Sequence, residues 1–518
     1  MKNLKKQIGK LFVIGFHGLN PSDDVLSFVE EYGIGGVIFF ARNIDDPRRL
    51  KSVVSTLEEA SGQPLFTSID QEGGLVTRIL NVGSPFPGAM GLAATGDLQM
   101  TREMYRAIGL EMRALKLNWN LAPVLDINHR DNPSCGARAF GDTPEAVAKY
   151  ALAAIQGLQE TGVLACAKHF PGKGHARVDS HLTLPTIPYD RERLISTELF
   201  PFQKAIEAGV GAVMTSHVFF PAFEPTPNLP ATLSKPVLTD LLRHQMKFQG
   251  LLITDDLEMG AITETFGVAE ASRLSFLAGA DQLLICHELS RQRQAAQALL
   301  DAVQKDPEAG RRLEESLGRV EKGRRQFLAT SASELDLEQV ASNHAPLVHR
   351  AYQASILCHR LMPNRLPLSP NSRKVFLCPE ISALVQVEEH LKGNGIQTII
   401  ERVFPKARTI LYNPKATAEE FQKLYEGCPE AKNPEVDCIA LSYNAHLFPG
   451  QTEGFQELSR RSPRAILAAL RNPYDVTSCS GFQNAFATFG FRSPAIECLF
   501  EVLLGKVPAK MQPWPVQV

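Results

Sequence analysis

Two carboxylates stand at the end of a short apolar run in GLLITDDLEMG (250–260), where Thr254, Asp255 and Asp256 follow directly. A carboxylate in such a place is costly to bury unless it is partnered, solvated or used in chemistry. Asp is also a preferred cap for a following helix, and capping would account for one of the two groups. Asp256 therefore stays open between a cap and a reacting group, whereas Asp255 is the predicted catalytic carboxylate.

A denser cluster occupies KHFPGKGHARVDSHLTLP (168–185), a segment interrupted by Gly and Pro. Its ionisable side chains are Lys168, His169, Lys173, His175, Arg177, Asp179 and His181. A metal site would use the three imidazoles and the carboxylate. These groups lack the spacing of a strong zinc signature, in which two ligands share one helix face, and three cations stand among them. The spacing therefore predicts no metal ion here.

The same segment fits proton transfer better. Asp179 and His181 are two residues apart on a predicted loop, so that the carboxylate can accept one imidazole N–H. Such a contact selects the tautomer and raises the basicity of the ring, and histidine can both give and take protons at neutral pH. Asp179 and His181 are the predicted acid/base pair, and a solvated loop with an incidental Asp-x-His is the alternative.

Further polar side chains follow other apolar runs. They are Asp70 and Arg78 in SIDQEGGLVTRI (68–79), Arg138 in RAFGD (138–142), and Lys168 and His169 at the start of the segment above. Each alone would be interpreted as part of a surface salt bridge. Together they form an array of donors and acceptors suited to neighbouring hydroxyl groups, and they predict a sugar pocket.

These residues share one position in a pattern that fills roughly the first 330 residues, in which near-continuous apolar runs alternate with stretches of helical spacing. The runs are 11–18, 33–43, 64–74, 117–128, 163–172, 212–221, 250–260 and 281–286. Such strands indicate a parallel sheet covered by helices on both sides. Because polar residues follow several runs and not one switch point, the pattern predicts an α/β fold of the TIM (β/α)8 barrel type.

The catalytic barrel is predicted to occupy residues 1–340, and a smaller α/β sandwich domain residues 341–518. Two charged helical segments, 288–305 and 307–328, end the first part. In the second part the predicted strands are KVFLC (374–378), GIQTII (395–400), DCIALSY (437–443) and RAILAAL (464–470), with a helical stretch over 382–395. Nothing in these motifs assigns the second domain a role.

The composition excludes several classes of function. A net charge of −2 gives no basic excess for a nucleic-acid partner. Nine cysteines without a Cys-x-x-Cys pair are typical of reduced, buried thiols. The N-terminal apolar core LFVIGF is too short for a secretory signal, and no run approaches a membrane span. We therefore predict a soluble cytoplasmic protein without a membrane partner and, in the absence of a dinucleotide fingerprint, without a cofactor.

The segments IDQEGG, RAFG, KHFPGKG…DSH and GLLITDDLEMGAI resemble glycoside hydrolase family 3, and the DSH loop resembles its bacterial β-N-acetylglucosaminidase branch. The resemblance implies a TIM barrel and a retaining exo-hydrolase of terminal β-linked N-acetylglucosamine, acting on muropeptides in peptidoglycan recycling or on chitin fragments. It implies Asp255 as nucleophile, with His181 and Asp179 as the acid/base dyad. The implied sugar contacts are Asp70, Arg138, Lys168, His169 and, for this branch, Arg78.

Several alternatives stay open. The loop of the family often has His where this chain has Lys173. A β-N-acetylglucosaminide phosphorylase or a β-glucosidase is the alternative within the family, although the DSH loop disfavours the glucosidase. A metal-dependent barrel hydrolase and a silent glycan-binding protein are the alternatives from other classes, and the intact Asp255, Asp179 and His181 argue against the silent protein. The sequence sets neither the natural leaving group nor the oligomeric state.

Overall fold

Eight parallel strands form the first sheet of the computed structural model, which describes residues 2–80, 82–178, 183–328, 335–381, 395–433, 435–462 and 464–518. The strands are β1 (Phe12–Ile14), β2 (Gly36–Phe39), β3 (Phe66–Ile69), β4 (Trp119–Asn120), β5 (Leu164–Phe170), β6 (Ala212–Thr215), β7 (Leu251–Ile253) and β8 (Leu283–Ile285). Consecutive strands from β1 to β7 pair with each other, and β1 also pairs with β8. One bridge, from Ile253 of β7 to Gln282 just before β8, nearly closes the barrel. The predicted TIM barrel is confirmed.

Helices cover the outside of this barrel. They are α1 (Lys2–Gly9), α2 (Asp23–Tyr32), α3 (Pro47–Ser61), α4 (Ala89–Thr95), α5 (Leu98–Ala114), α6 (Pro144–Gln159), α7 (Arg191–Ser196), α8 (Phe200–Glu207), α9 (Gly260–Thr263), α10 (Val268–Ala278), α11 (Leu289–Lys305) and α12 (Pro307–Phe327), with a π-helix over Pro236–Gln245 between β6 and β7. The two predicted charged helices are confirmed as α11 and α12.

Local sequence sets where several of these helices begin. The side chains of Asp46, Asp97 and Thr143 accept hydrogen bonds from backbone N–H groups in the first turns of α3, α5 and α6. Pro47 and Pro144 occupy the first position of their helices, where the absent N–H would have had no partner within the helix. Capping thus separates each helix from the loop that precedes it.

Alternate side chains of the strands fill the inside of the barrel. Val13, Phe66 and Leu284 belong to one buried cluster inside the ring of strands. Phe12 and Ile14, the neighbours of Val13, belong instead to the larger cluster that the helices cover. Because both faces of each strand are buried, the strands are continuous apolar runs in the sequence.

A second sheet follows the barrel. Its strands are β9 (Leu357–Arg360), β10 (Lys374–Pro379), β11 (Ala407–Tyr412), β12 (Asp437–Ser442), β13 (Ile466–Ala469) and β14 (Asn484–Ala487), in the order β11-β10-β12-β13-β14-β9. All pairs are parallel except β9 with β14. Its helices are α13 (Leu337–Ser355), α14 (Gly395–Val403), α15 (Ala418–Glu426), α16 (Pro449–Arg461), α17 (Asp475–Ser478) and α18 (Ser493–Leu503). The predicted second α/β domain is confirmed.

One predicted strand of this domain is wrong. GIQTII lies in α14, and the buried residues of that helix are Ile396, Ile399 and Ile400. A spacing of three and four residues matches one face of a helix, so tertiary burial outweighs the strand preference of the β-branched side chains. The helix predicted over 382–395 lies outside the described residues except for Gly395, which begins α14.

The connection between the two sheets runs through α13. This helix packs against α4 and α5 of the barrel and against α18 of the second domain. The predicted boundary between residues 340 and 341 falls within α13, and the division stays a prediction. In the described part of the chain no helix combines the length and apolarity needed to cross a membrane. All nine cysteines are buried, unpaired thiols.

Candidate active site

The strands of the barrel bring the predicted site residues to one rim. Asp70 directly follows β3, Lys168 and His169 lie near the end of β5, and Asp255 lies two residues after β7. Arg138 ends a short 3₁₀ turn in the long connection after β4. Since the C-terminal ends of parallel strands meet at the same side of a barrel, residues distant in sequence converge there.

A buried network of two acids and two bases forms the centre of this rim. The Lys168 Nζ atom lies 2.7 Å from Asp70 Oδ1 and 2.7 Å from Glu72 Oε1. The Arg138 guanidinium donates from Nε to Glu72 Oε2 at 2.9 Å and from Nη2 to Glu72 Oε1 at 2.7 Å. This paired arrangement fixes the plane of the guanidinium as well as its position. Glu72 therefore orients two of the predicted sugar contacts.

The charges of this network stabilise one another. Burial alone would raise the pKa of the Glu72 carboxyl, but the Arg138 and Lys168 cations hold it well below its usual range. Burial alone would likewise lower the pKa of Lys168 and of Arg138, and their carboxylate partners raise both. All three groups are consequently charged at neutral pH.

Arg78 lies at the edge of the network. Its Nη2 atom is 3.8 Å from Asp70 Oδ2, and its backbone N–H donates to Gln71 Oε1 at 2.9 Å. Its guanidinium also lies 5.7 Å from the centre of the Phe40 ring. Arg78 is thus buried beside the acids and bases that the sequence grouped with it.

His169 is held by a buried carboxylate that was not assigned a role from the sequence. The His169 Nδ1 atom lies 2.7 Å from Asp126 Oδ2. Burial lowers the pKa of His169 well below its usual value, with a further contribution from Lys173, so that the ring is neutral near pH 7. In a neutral ring beside a carboxylate, Nδ1 carries the proton and Nε2 is left as an acceptor.

Asp255 lies near Lys173, with 3.9 Å between Asp255 Oδ2 and Lys173 Nζ. Its Oδ1 atom accepts the backbone N–H of Asp256 at 2.9 Å, and its own N–H donates to Thr215 Oγ1 at 3.3 Å. Asp256 differs, because its Oδ1 accepts the backbone N–H groups of Glu258 at 3.1 Å and Cys286 at 3.3 Å. Asp256 thus ties the loop after β7 to the end of β8.

The predicted dyad Asp179 and His181 lies outside the described residues, so its geometry stays a prediction. Both ends of the surrounding segment are anchored at the rim. Asn132 Nδ2 donates to the Lys173 carbonyl at 3.0 Å and to the Gly174 carbonyl at 2.9 Å. At the other end, the Ile187 N–H donates to the Phe219 carbonyl at 3.0 Å.

The two described imidazoles of the metal alternative are engaged by different carboxylates. His169 pairs with Asp126, whereas His175 Nδ1 lies 2.8 Å from Glu198 Oε1. His175 Nε2 also lies 3.3 Å from Arg193 Nη2, a cation that would repel a divalent ion. His169 is thus hydrogen-bonded to Asp126, whereas His175 makes a close contact with Glu198 and a hydrogen bond with Arg193.

Sequence reasoning missed Glu72, Asp126 and Lys173 as members of the site. Glu72 lies in the same IDQEGG segment as Asp70. It is buried between two cations, and this pairing explains why an acid occupies the position. Asp126 ends an apolar run, as Asp70 and Asp255 do, and that shared position places it at the predicted rim, although it was assigned no role there from the sequence. Lys173 was noted as one of the cations of its segment and as a departure from the family loop, but charge alone does not reveal which carboxylate a lysine reaches.

The second domain supports the loops that carry the rim. Arg492 donates from Nε to the Gly74 carbonyl at 3.2 Å and from Nη2 to the Leu75 carbonyl at 3.4 Å. Asn128 Nδ2 donates to the Tyr474 hydroxyl at 2.8 Å. Contacts from the second domain thus reach the segments that follow both β3 and β4, and they brace the barrel on the side of the site.

Substitution of Gly136 by Ala is expected to loosen this support. Gly136 has φ of 51°, and a Cβ atom there would lie 2.4 Å from Asn472 Oδ1 and 2.9 Å from Arg471 Nη1. Left-handed backbone and steric overlap both penalise a side chain, so we expect the free energy of unfolding to fall by about 1–3 kcal/mol in urea titrations.

The matched control for Gly136→Ala is the same change in an Asn472→Gly background. Removing the Asn472 side chain relieves the closest overlap but not the backbone strain. Asn472→Gly should therefore lower the free energy of unfolding less in the Gly136→Ala protein than in the wild type. Equal costs in both backgrounds would show that the domain contact does not constrain this loop.

Comparison with known proteins identifies the class to which this barrel and its polar rim belong. The family pattern described as the glycosyl hydrolase family 3 N-terminal domain matches residues 3–322. β-Hexosaminidase A of Pseudoalteromonas piscicida is 32% identical, with 94% of this chain and 90% of that protein aligned. A β-hexosaminidase of Tolumonas auensis is 35% identical over 53% of this chain and 80% of its own length. The chain belongs to glycoside hydrolase family 3 and is a glycoside hydrolase.

Solved structures extend the similarity to the second domain. A family 3 β-N-acetylglucosaminidase from Paenibacillus sp. str. FPU-7 is 36% identical, with a TM-score of 0.89 over 99% of this chain and 98% of that chain. The β-glucoside phosphorylase BglX has a TM-score of 0.80 at 20% identity, which shows the shared fold alone. The resemblance drawn from the motifs is confirmed at the level of the family.

Proposed function

We propose that this chain is a retaining exo-β-N-acetylglucosaminidase that removes terminal β-linked N-acetylglucosamine. The observation that carries the proposal is Asp255 on the same barrel rim as the buried network of Asp70, Glu72, Arg138 and Lys168. The names of two relatives that align over nearly the whole chain, a β-hexosaminidase and a β-N-acetylglucosaminidase, support the substrate class.

In the proposed mechanism Asp255 is the nucleophile. Its carboxylate attacks the anomeric carbon and forms a covalent glycosyl-enzyme, which water then hydrolyses with net retention of configuration. His181, oriented by Asp179, gives a proton to the departing oxygen and later accepts one from the incoming water. The roles of Asp179 and His181 rest on the sequence motif.

The remaining predicted residues hold the sugar. Lys168 and Arg138 donate, and Asp70 accepts, within a network whose charges are fixed by pairing. His169 accepts a hydrogen bond from a sugar hydroxyl at Nε2, because its Nδ1–H donates to Asp126. Arg78 provides a contact beyond this network.

A histidine as proton carrier bears on the leaving group. With His181 in place of the usual second carboxylate, the site carries one negative charge less. It therefore tolerates an anionic leaving group better, for example a muramic acid with its lactyl carboxylate. We propose muropeptide or chitin fragments as substrates of a cytoplasmic enzyme, with peptidoglycan recycling as the process served.

The test is the release of 4-nitrophenol from 4-nitrophenyl β-N-acetylglucosaminide and from the corresponding β-glucoside, each with and without inorganic phosphate. We expect turnover of the N-acetylglucosaminide that needs no phosphate and exceeds turnover of the glucoside by at least about 100-fold, as expected for a site that hydrogen-bonds a group the competitor lacks. Stimulation by phosphate with formation of a sugar 1-phosphate would favour a phosphorylase. Preference for the glucoside would contradict the proposed substrate class.

A further inference from the structure

Lys173 is a buried cation with a firmly held backbone. Its N–H donates to Asp126 Oδ1 at 2.7 Å, and its carbonyl accepts a hydrogen bond from Asn132 Nδ2 at 3.0 Å. The next residue, Gly174, packs so closely that a Cβ atom there would lie 1.7 Å from the Ile127 carbonyl oxygen. The main chain of Lys173 is therefore fixed against the long connection that follows β4.

From this position the Lys173 ammonium reaches Asp255. Nζ lies 3.9 Å from Asp255 Oδ2, and the two side chains are 5% and 16% exposed. The distance is longer than a hydrogen bond, so Lys173 acts on the carboxylate mainly through its charge. Because little water surrounds the pair, that charge is weakly screened.

The other ionisable groups that the structure describes around the pair do not supply the same charge. Among the described residues, His169 and His217 interact electrostatically with both Lys173 and Asp255. Asp126 and Cys135 interact with Lys173, and Cys166 and Cys286 with Asp255. Asp256 adjoins Asp255, and Arg138 and Lys168 act on His169 beside the pair. Burial lowers the pKa of both imidazoles and raises that of the thiols, so these groups are neutral near pH 7. Lys168 and Arg138 are paired with Glu72. Among the described cations, Lys173 is the one whose ion pair with Asp255 is observed.

We propose that Lys173 is a positioning residue that supplies a permanent counter-charge to Asp255 and thereby speeds the second half of the reaction. The inference rests on the nucleophilic role of Asp255 proposed above. In the second step water adds to the anomeric carbon and loses its proton to the base. The bond from that carbon to Asp255 breaks, and its electron pair returns to the carboxylate as negative charge.

The two steps respond oppositely to a fixed positive charge. In the first step Asp255 begins as an anion and loses charge, so Lys173 stabilises the starting state at least as much as the transition state. In the second step the charge develops as the carboxylate leaves, and Lys173 stabilises the transition state more than the neutral ester. Loss of the charge should therefore slow the second step selectively.

The experiment compares Lys173→Met with the wild type on 4-nitrophenyl β-N-acetylglucosaminide. We expect kcat and KM to fall together by about tenfold or more, while kcat/KM changes by less than about threefold. Stopped-flow absorbance should show a burst of about one equivalent of nitrophenol, and intact-protein mass spectrometry should show an adduct of one N-acetylglucosamine residue.

Lys173→Arg is the matched control, since it keeps the charge and should show neither the burst nor the accumulated adduct. Lys173→Gln, of intermediate polarity, repeats the test if the Met variant does not fold, and thermal unfolding midpoints check both. Equal losses in kcat and kcat/KM without a burst, in a folded variant, would overturn the inference. Failure of the wild type to use the substrate, or activity that survives loss of Asp255, would instead overturn the proposed function.

Discussion

Asp255→Gly is expected to lower kcat/KM for 4-nitrophenyl β-N-acetylglucosaminide by about 10⁴-fold or more, with little change in the unfolding midpoint. The carboxylate is partly exposed, at 16%, so we expect the fold to lose little when it is removed. The reaction loses its covalent intermediate, which is the largest penalty a single side chain can cause in this mechanism. Steady-state nitrophenol release measures the loss.

Azide distinguishes loss of the nucleophile from general damage. In Asp255→Gly the space left by the carboxylate admits azide, whose nitrogen bonds to the anomeric carbon as nitrophenolate leaves. One inversion from a β-substrate gives the α-glycosyl azide, identifiable by its proton coupling constants. A β-azide would show that the acetamido group of the substrate, and not Asp255, is the first nucleophile.

Asp256→Asn is the matched control for this test. Asp256 is the adjacent carboxylate, but its oxygen is engaged by the backbone N–H groups of Glu258 and Cys286. We expect Asp256→Asn to be less stable than the wild type and to lose far less kcat/KM than Asp255→Gly does. It should form no glycosyl azide. If Asp256→Asn behaved like Asp255→Gly, the assignment of the two carboxylates would have to be exchanged.

The barrel and its rim could be predicted because each strand is buried on both faces. Runs such as GLLIT are continuous in the sequence for that reason, and a polar residue at the end of a run or just after it marks the rim. Asp70, Lys168, His169 and Asp255 were all found by this rule. The rule is local, and it needs no knowledge of which strands are neighbours.

The partners of these residues could not be predicted in the same way. Glu72 joins Arg138 across 66 positions of sequence, and Lys173 lies near Asp255 across 82, so their pairing depends on the order of strands around the barrel. The bracing by Arg492 depends on the docking of a second domain that carries no catalytic motif. The β-branched residues of GIQTII led to a wrong strand prediction. The segment forms α14, because burial of one face favours a helix there.

Glu72→Gln is expected to cause the largest loss of stability among single substitutions at the site. Glu72 is 3% exposed and its carboxylate neutralises both Arg138 and Lys168. The amide keeps the shape but not the charge. Lys168 then keeps its ion pair with Asp70, whereas Arg138 loses the carboxylate that holds both ends of its guanidinium. We expect the free energy of unfolding to fall by about 3–5 kcal/mol, as when one partner of a buried ion pair is removed. Urea titration at pH 7 measures the change.

A control and a pH series test whether charge is the cause. Glu31→Gln removes a carboxylate from the half-exposed pair with Lys5 and should cost no more than about 1 kcal/mol.

The folded pKa of Glu72 lies below its unfolded value of about 4.3, so its stabilisation is complete above that pH and is lost as the pH falls further. The difference between wild type and Glu72→Gln should therefore shrink from pH 5 to about pH 3. A difference that stayed constant over this range would mean that Glu72 acts through its shape, and the charged network would then not be what holds Arg138 and Lys168 toward the sugar.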